Sequence, residues 1–346
     1  MNPYMAFDAV NTKIISRLGY ILDYDEWNKY IKFSSIEQFI NYLKKQPLIR
    51  KSFDNYGNNN INRDSLEVIL GNIKTTEIEN LINYFSGPYR DFIKSMLVDS
   101  EINDISLILR KISIGEPLEN IKKRFLHSNK FSDIPFDKLL TSNSVDNFIQ
   151  NLKNTPYYIE LRNFSKEDAA NRKFHVEMKL QGLYFNTLLE KAEYLFNEDR
   201  DIAFDIIGHK IDLQNIQWIH RAIKYYNITS EEILFYSLKG GKKIKFNRLK
   251  NLCYTKSENE FKKLCTDYLK HDVFKNNLNS EINVKYHMFN YLRKKHYNNI
   301  GSCIAYIIYL EIIIDDLTSI TEGIKYNLPE EKIKEYLVYR YDGRRD

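Results

Sequence analysis

Residues 210–233 read KIDLQNIQWIHRAIKYYNITSEEI. Leu213, Ile216, Ile219 and Ile223 recur at steps of three, three and four, which is one face of an α-helix. A break at Asn227-Ile228-Thr229 leads into a second, acid-capped helix. The same phrase occurs twice more, in EINDISLILRKISIGEPLENI (101–121) and IIIDDLTSITEGIKYNLPEEKI (312–333). There the stripes are Ile102, Ile105, Ile108, Ile112 and Ile314, Leu317, Ile320, Ile324, and the breaks are Gly115-Glu116-Pro117 and Asn327-Leu328-Pro329. In each copy an acid or amide precedes the second apolar residue of the stripe: Asp104, Asn215 and Asp316, at offsets of 111 and 101 residues. One amphipathic stripe is commonplace. Three in the same phase, each with the same sequel, point to triplication.

A second phrase repeats in step with the first. SIEQFINYLKKQPLI (35–49) and SVDNFIQNLKNTPYY (144–158) share a serine in N-cap position, Phe-Ile, Leu-Lys and a proline that ends the helix. Gln38 completes a capping-box pattern behind Ser35. SENEFKKL (257–264) is a fainter third copy. The chain therefore reads as all-α, in three related helical units near 1–126, 127–240 and 241–346. Units of this size stack on their neighbours and can close into a ring or funnel.

Composition agrees with a helical reading. The 346 residues include only 12 Gly and 7 Pro, are 43% hydrophobic and 28% charged, and show no run of alternating strands. A net charge of +5, with lysines interleaved among acids, lacks the basic stripe of a nucleic-acid binder. Three cysteines without CxxC spacing suit a reducing compartment. MNPYMAFDAVNTKIISR has no uninterrupted apolar core, so no signal peptide is expected. The apolar stretch IGSCIAYIIYLEIIIDD (300–316) carries Glu311 and falls short of the roughly 20 residues a membrane span needs. It is expected to be a buried core helix.

Chemistry-bearing constellations are sparse. Seven histidines show no HExxH, and Cys265 with His271 is a pair where a metal needs three or four ligands. No metal or cofactor site is expected. LKGGKKIKFNRLK (238–250) lacks phosphate-loop spacing and reads as a solvated loop between units. On a helical wheel Arg110 and Arg221 fall almost opposite their stripes, with Glu322 at the same place in the third copy. These three, with Asn215 and Asp316, are docking candidates. Asp212 falls close to its apolar stripe, where an acid needs a partner, and is a structural candidate.

These residues carry a resemblance. IDLQNIQWIHRA (211–222), with its DxxNIxxxxR frame, resembles the second repeat of the C subunit of the V/A-type rotary ATPases, the counterpart of the d subunit of the eukaryotic V-ATPase. NTPYY (154–158), ISIGEPLENIKKRFL (112–126) and AYIIYLEIIIDDLTSITEGIKYNLPEEKIKEYLV (305–338) are similar to other parts of that family, in order. The chain departs from it at Ile313, Asp315 and Asp316, where Glu, Arg and Asn are frequent, and at Gln181, where Asp is common. The resemblance implies a funnel of three helical domains with pseudo-threefold symmetry, seated peripherally on the cytoplasmic face of a membrane rotor ring. It implies one copy per complex, docking to the central stalk, coupling of ATP hydrolysis or synthesis to proton or sodium transport, and no catalytic role, small-molecule substrate or cofactor. The residues alone leave a second reading, a soluble helical scaffold for another protein partner.

Overall fold

The computed structural model describes residues 3–21, 24–56, 61–164, 173–226, 228–274, 280–295 and 298–338. Asn227 and His296 therefore lie outside the described residues. Within them every regular element is helical and none is a strand. The long helices are α1 (Pro3–Ile21), α2 (Arg63–Ile82), α3 (Val98–Ile114), α4 (Lys173–Ala192), α5 (Asn197–Tyr225), α6 (Ser280–Arg293) and α7 (Ile300–Lys325). The three repeated stripes lie on α3, α5 and α7 and are buried, with Ile223 and Ile314 partly so. α2 stops at Ile82, and a separate short helix, Gly87–Ser95, follows it before α3.

Each striped helix is followed by a break and a short helix: Ile121–Arg124 in 3-10 form, Ser230–Tyr236 and Glu330–Lys334. Left-handed residues make two of the breaks. Gly115 (φ 75°) ends α3, with the Glu116 N–H returning to the Lys111 carbonyl, and Asn327 (φ 50°) follows α7, with the Leu328 N–H returning to Gly323. Thr229 and Glu232 form a capping box at the start of the second short helix. The box anticipated at Ser35 does not form, whereas Ser144 and Ser257 each accept the N–H three residues on. Phe39, Phe148 and Phe261, each four residues after its serine, are fully buried, so the faint third copy keeps the same local build.

A buried side chain of each striped helix then clamps the chain beyond the short helix. Asp104 accepts the N–H groups of Leu126 (2.9 Å) and His127 (2.8 Å), and the His127 ring reaches the same carboxylate at 2.8 Å. Asn215 accepts from the Leu238 N–H at 2.8 Å and donates to the Leu238 carbonyl at 2.9 Å. Asp316 accepts from the Val338 N–H at 2.8 Å. The clamped residue stands 22, 23 and 22 places after its clamp. An amide that pairs with both the N–H and the C=O of one residue, and a carboxylate that takes several donors, satisfy groups that would otherwise be buried unpaired.

The second repeat has a further clamp in Asp212, which accepts from Lys243 N–H at 2.7 Å and Ile244 N–H at 3.0 Å. The Lys242 N–H also bonds the Gly208 carbonyl at 3.1 Å. The 238–245 stretch is therefore not a solvated loop: its backbone is fastened along α5, with Leu238, Gly241 and Ile244 buried. Its two glycines are what allow the approach. Gly240 has φ 94°, and a Cβ on Gly241 would lie 2.2 Å from Asp212 Oδ1 and 2.9 Å from the Ile244 carbonyl.

The long helices pack on one another in series. α4 lies against α3, α5 against α6 and α7, and α7 against α2, while α1 lies along α7. α7 is the expected core helix, buried over most of its 26 residues. No helix among the described residues is long and apolar enough to cross a membrane. Cys253, Cys265 and Cys303 are buried and unbridged. Burial lifts the Cys253 thiol to about 11 and the Cys303 thiol to about 12, which keeps both protonated.

The fit of Gly241 against Asp212 is directly testable. Gly241→Ala should cost about 1–3 kcal/mol of stability, the usual range for overpacking, measured by urea denaturation. Alanine at exposed Lys239 should change stability by less than about 0.5 kcal/mol.

Candidate functional site

The long helices of the three repeats converge on two adjoining hollows, of about 490 Å³ and about 800 Å³. Side chains from each of α2 to α7 line the smaller, and α3 dominates the larger. Glu67, Asp99, Asn103, Gln181 and Asp315 border both.

A charged cluster crosses the smaller hollow. The Lys74 ammonium of α2 pairs with Asp99 of α3 and lies 3.5 Å from Glu311 of α7, and Glu311 accepts from Lys210 of α5 at 2.6 Å. Gln181 of α4 donates to Asp99 at 3.2 Å. Asp99, Lys210 and Glu311 each stand five residues before a clamp, so the three repeats bring one equivalent position to one spot. The cluster is less than a quarter exposed, so its attractions are weakly screened. Burial alone would raise the Asp99 carboxyl, but Lys74, Lys210 and the Gln181 amide hold it down at about 2. Burial would lower Lys74, but Asp99 and Glu311 hold it above the ordinary lysine range. These shifts take both groups away from neutral pH and suit permanent ion pairs, not proton transfer.

The residues singled out in the sequence separate into two sets. Asn215, Asp316 and Asp212 are at most 1% exposed and serve the clamps, so their polar atoms face the chain's own backbone. Arg110 is exposed at the larger hollow, and Arg221 lines the smaller, 3.4 Å from Glu177 and stacked 5.2 Å from the Phe174 ring. Glu322 is half-buried and paired with Arg63 at the start of α2. Of the positions that depart from the family pattern, Ile313 is buried and lines a small pocket with Trp27 and Tyr30, Asp315 pairs with Lys285 at 2.7 Å, and Gln181 joins the charged cluster. Lys74, Lys210 and Glu311 were not anticipated as a set. Among the described residues no group of three or more His, Cys, Asp or Glu could hold a metal ion.

A helical chain with three copies of one clamp and a shared hollow between them is a repeat protein of a specific kind. The family of ATP synthase (C/AC39) subunits matches residues 10–336, and the chain belongs to that family. It is 24% identical to the C subunit of an A-type ATP synthase of Methanosphaera stadtmanae, over 97% of this chain and 88% of that one. The proteins of the same name from Methanobrevibacter smithii and Methanosarcina mazei are each 23% identical, over 72% and 54% of this chain and 62% and 50% of theirs.

The cluster makes a pH-dependent prediction. Lys74→Met leaves Asp99 and Glu311 without their shared cation and should cost about 3 kcal/mol at pH 7. Because folding depresses the Asp99 carboxyl, its contribution is present above the unfolded value of about 3.9 and fades as pH falls toward 2. The gap between wild type and variant should therefore narrow below about pH 4, as read by urea titrations at a series of pH values. Equal unfolding midpoints at pH 7 would contradict a stabilising cluster.

Proposed function

We propose that this chain is the non-catalytic adaptor of a V/A-type rotary ATPase. In this reading it sits as one peripheral copy on the cytoplasmic face of the membrane rotor ring. It receives the foot of the central stalk in its hollow and couples ATP hydrolysis or synthesis to proton or sodium transport. Its units are the helical domains 1–126, 127–240 and 241–346, arranged as a funnel with pseudo-threefold symmetry.

The observation that carries the reading is the hollow itself, lined by all three repeats and tied across by Lys74, Asp99, Lys210 and Glu311. An adaptor between two coaxial parts must transmit torque without yielding. Close-packed helices cross-linked by buried ion pairs resist shear because each small displacement breaks several contacts at once. Family membership supplies the setting, since the relatives carry the name of a component of an ATP synthase.

Tagging the chain in its own cells, extracting membranes in mild detergent and weighing the intact assemblies by native mass spectrometry tests this. The expected result is co-purification with ring and central-stalk proteins at one copy per complex. Recovery only with unrelated proteins would mean that the repeats serve as a scaffold for a different partner.

A further inference from the structure

A socket built from three similar units offers a shaft three nearly equivalent orientations, and the charge around this socket is not three-fold. The clamp offsets make Arg110, Arg221 and Glu322 equivalent positions on α3, α5 and α7. Arg221 has Glu177 and the Phe174 ring as neighbours, and Glu322 has Arg63. Arg110 forms no ion pair or side-chain hydrogen bond among the described residues; it acts only at a distance, lowering the Glu116 carboxyl after that group's own Lys111 partner. A second position behaves alike. Two places before the clamped residues Leu126, Leu238 and Val338 stand Arg124, Tyr236 and Tyr336, so the first repeat has a cation where the others have a phenol. Arg124 also forms no ion pair among the described residues, and its influence is a distant one on Asp64.

Both arginines are exposed and line the 800 Å³ hollow. Every carboxylate in that lining has a partner inside the chain: Glu67 with Arg63, Asp99 with Lys74, Asp104 with its clamped N–H groups, Glu177 with Arg221 and Asp315 with Lys285. Arg110 and Arg124 are thus the two guanidiniums of that lining without an ion pair of their own among the described residues. Arginine forks match carboxylates in geometry and lose little hydration on docking.

We infer that Arg110 and Arg124 form a key that takes an acidic element of the central stalk on the side of the first repeat, and so selects one of the three orientations. This rests on the proposed role of the hollow as the stalk's socket. The key fixes orientation through charge. Complementary charge of this kind sets register and makes wrong poses costly.

The test uses the full chain and the purified central-stalk proteins of the same complex, with binding measured by calorimetry at low and high salt. Arg110→Ala with Arg124→Ala should weaken binding about tenfold or more at low salt and flatten its salt dependence. Lys239→Ala, exposed and outside both hollows, should change affinity less than about threefold, and all variants should keep the wild-type helix content and melting temperature. If wild type binds and the double variant binds equally well, the key is refuted while the socket stands. If wild type does not bind the stalk at all, the socket reading fails and the key with it.

Discussion

A buried oxygen on a long helix, accepting the backbone N–H of a residue 22 or 23 places further on, is the contact on which this structure turns. The chain must leave each striped helix, make a break and a short helix, and return. Without a fixed return point the short helix would have only its own few hydrogen bonds, too few to be stable. The clamp supplies that point at the helix interior. It also explains the residue types. Asp104 is buried and meets two backbone N–H donors and the His127 ring; Asn215 is neutral and matches both the N–H and the C=O of one residue. Each solution avoids the cost of an unpaired polar group in a dry site.

Fixing the return point also fixes what lies one and a half turns earlier. Asp99, Lys210 and Glu311 stand five residues before the clamps, and five residues advance a helix by about 7.5 Å. Three helices held in equivalent register therefore present these positions to one another, and mixed signs turn the meeting into attraction. Lys74 adds the cation that three positions alone do not provide. The hollow that results is tied across its width at one level and open beside it. Stiffness and an opening in the same place are the physical requirements of a coupling between coaxial parts.

Much of the fold was legible because its signal is periodic. The stripes on α3, α5 and α7, the breaks after them and the register of Asp104, Asn215 and Asp316 all follow from apolar spacing and turn residues. The partner of each clamp was not legible, because a hydrogen bond to a backbone N–H leaves no mark on the residue that donates it. Leu126, Leu238 and Val338 look like any apolar residues. The ion cluster was hidden differently. Its positions recur at the repeat offsets, but Asp, Lys and Glu there do not look alike, so complementarity reads as noise. The 238–250 stretch misled for a third reason: its lysines suggest solvent, while its glycines permit the close contact with Asp212 that governs its course.

The most direct measurement of the clamp is amide hydrogen exchange at Leu126, Leu238 and Val338, compared between wild type and Asp104→Ala. All three amides should exchange as slowly as those in the middle of α3, α5 and α7 in the wild type. The substitution should release Leu126 and His127 while leaving Leu238 and Val338 protected. Fast exchange at the three amides in the wild type would mean that the chain does not depend on these contacts, and the three-fold account of its architecture would be wrong.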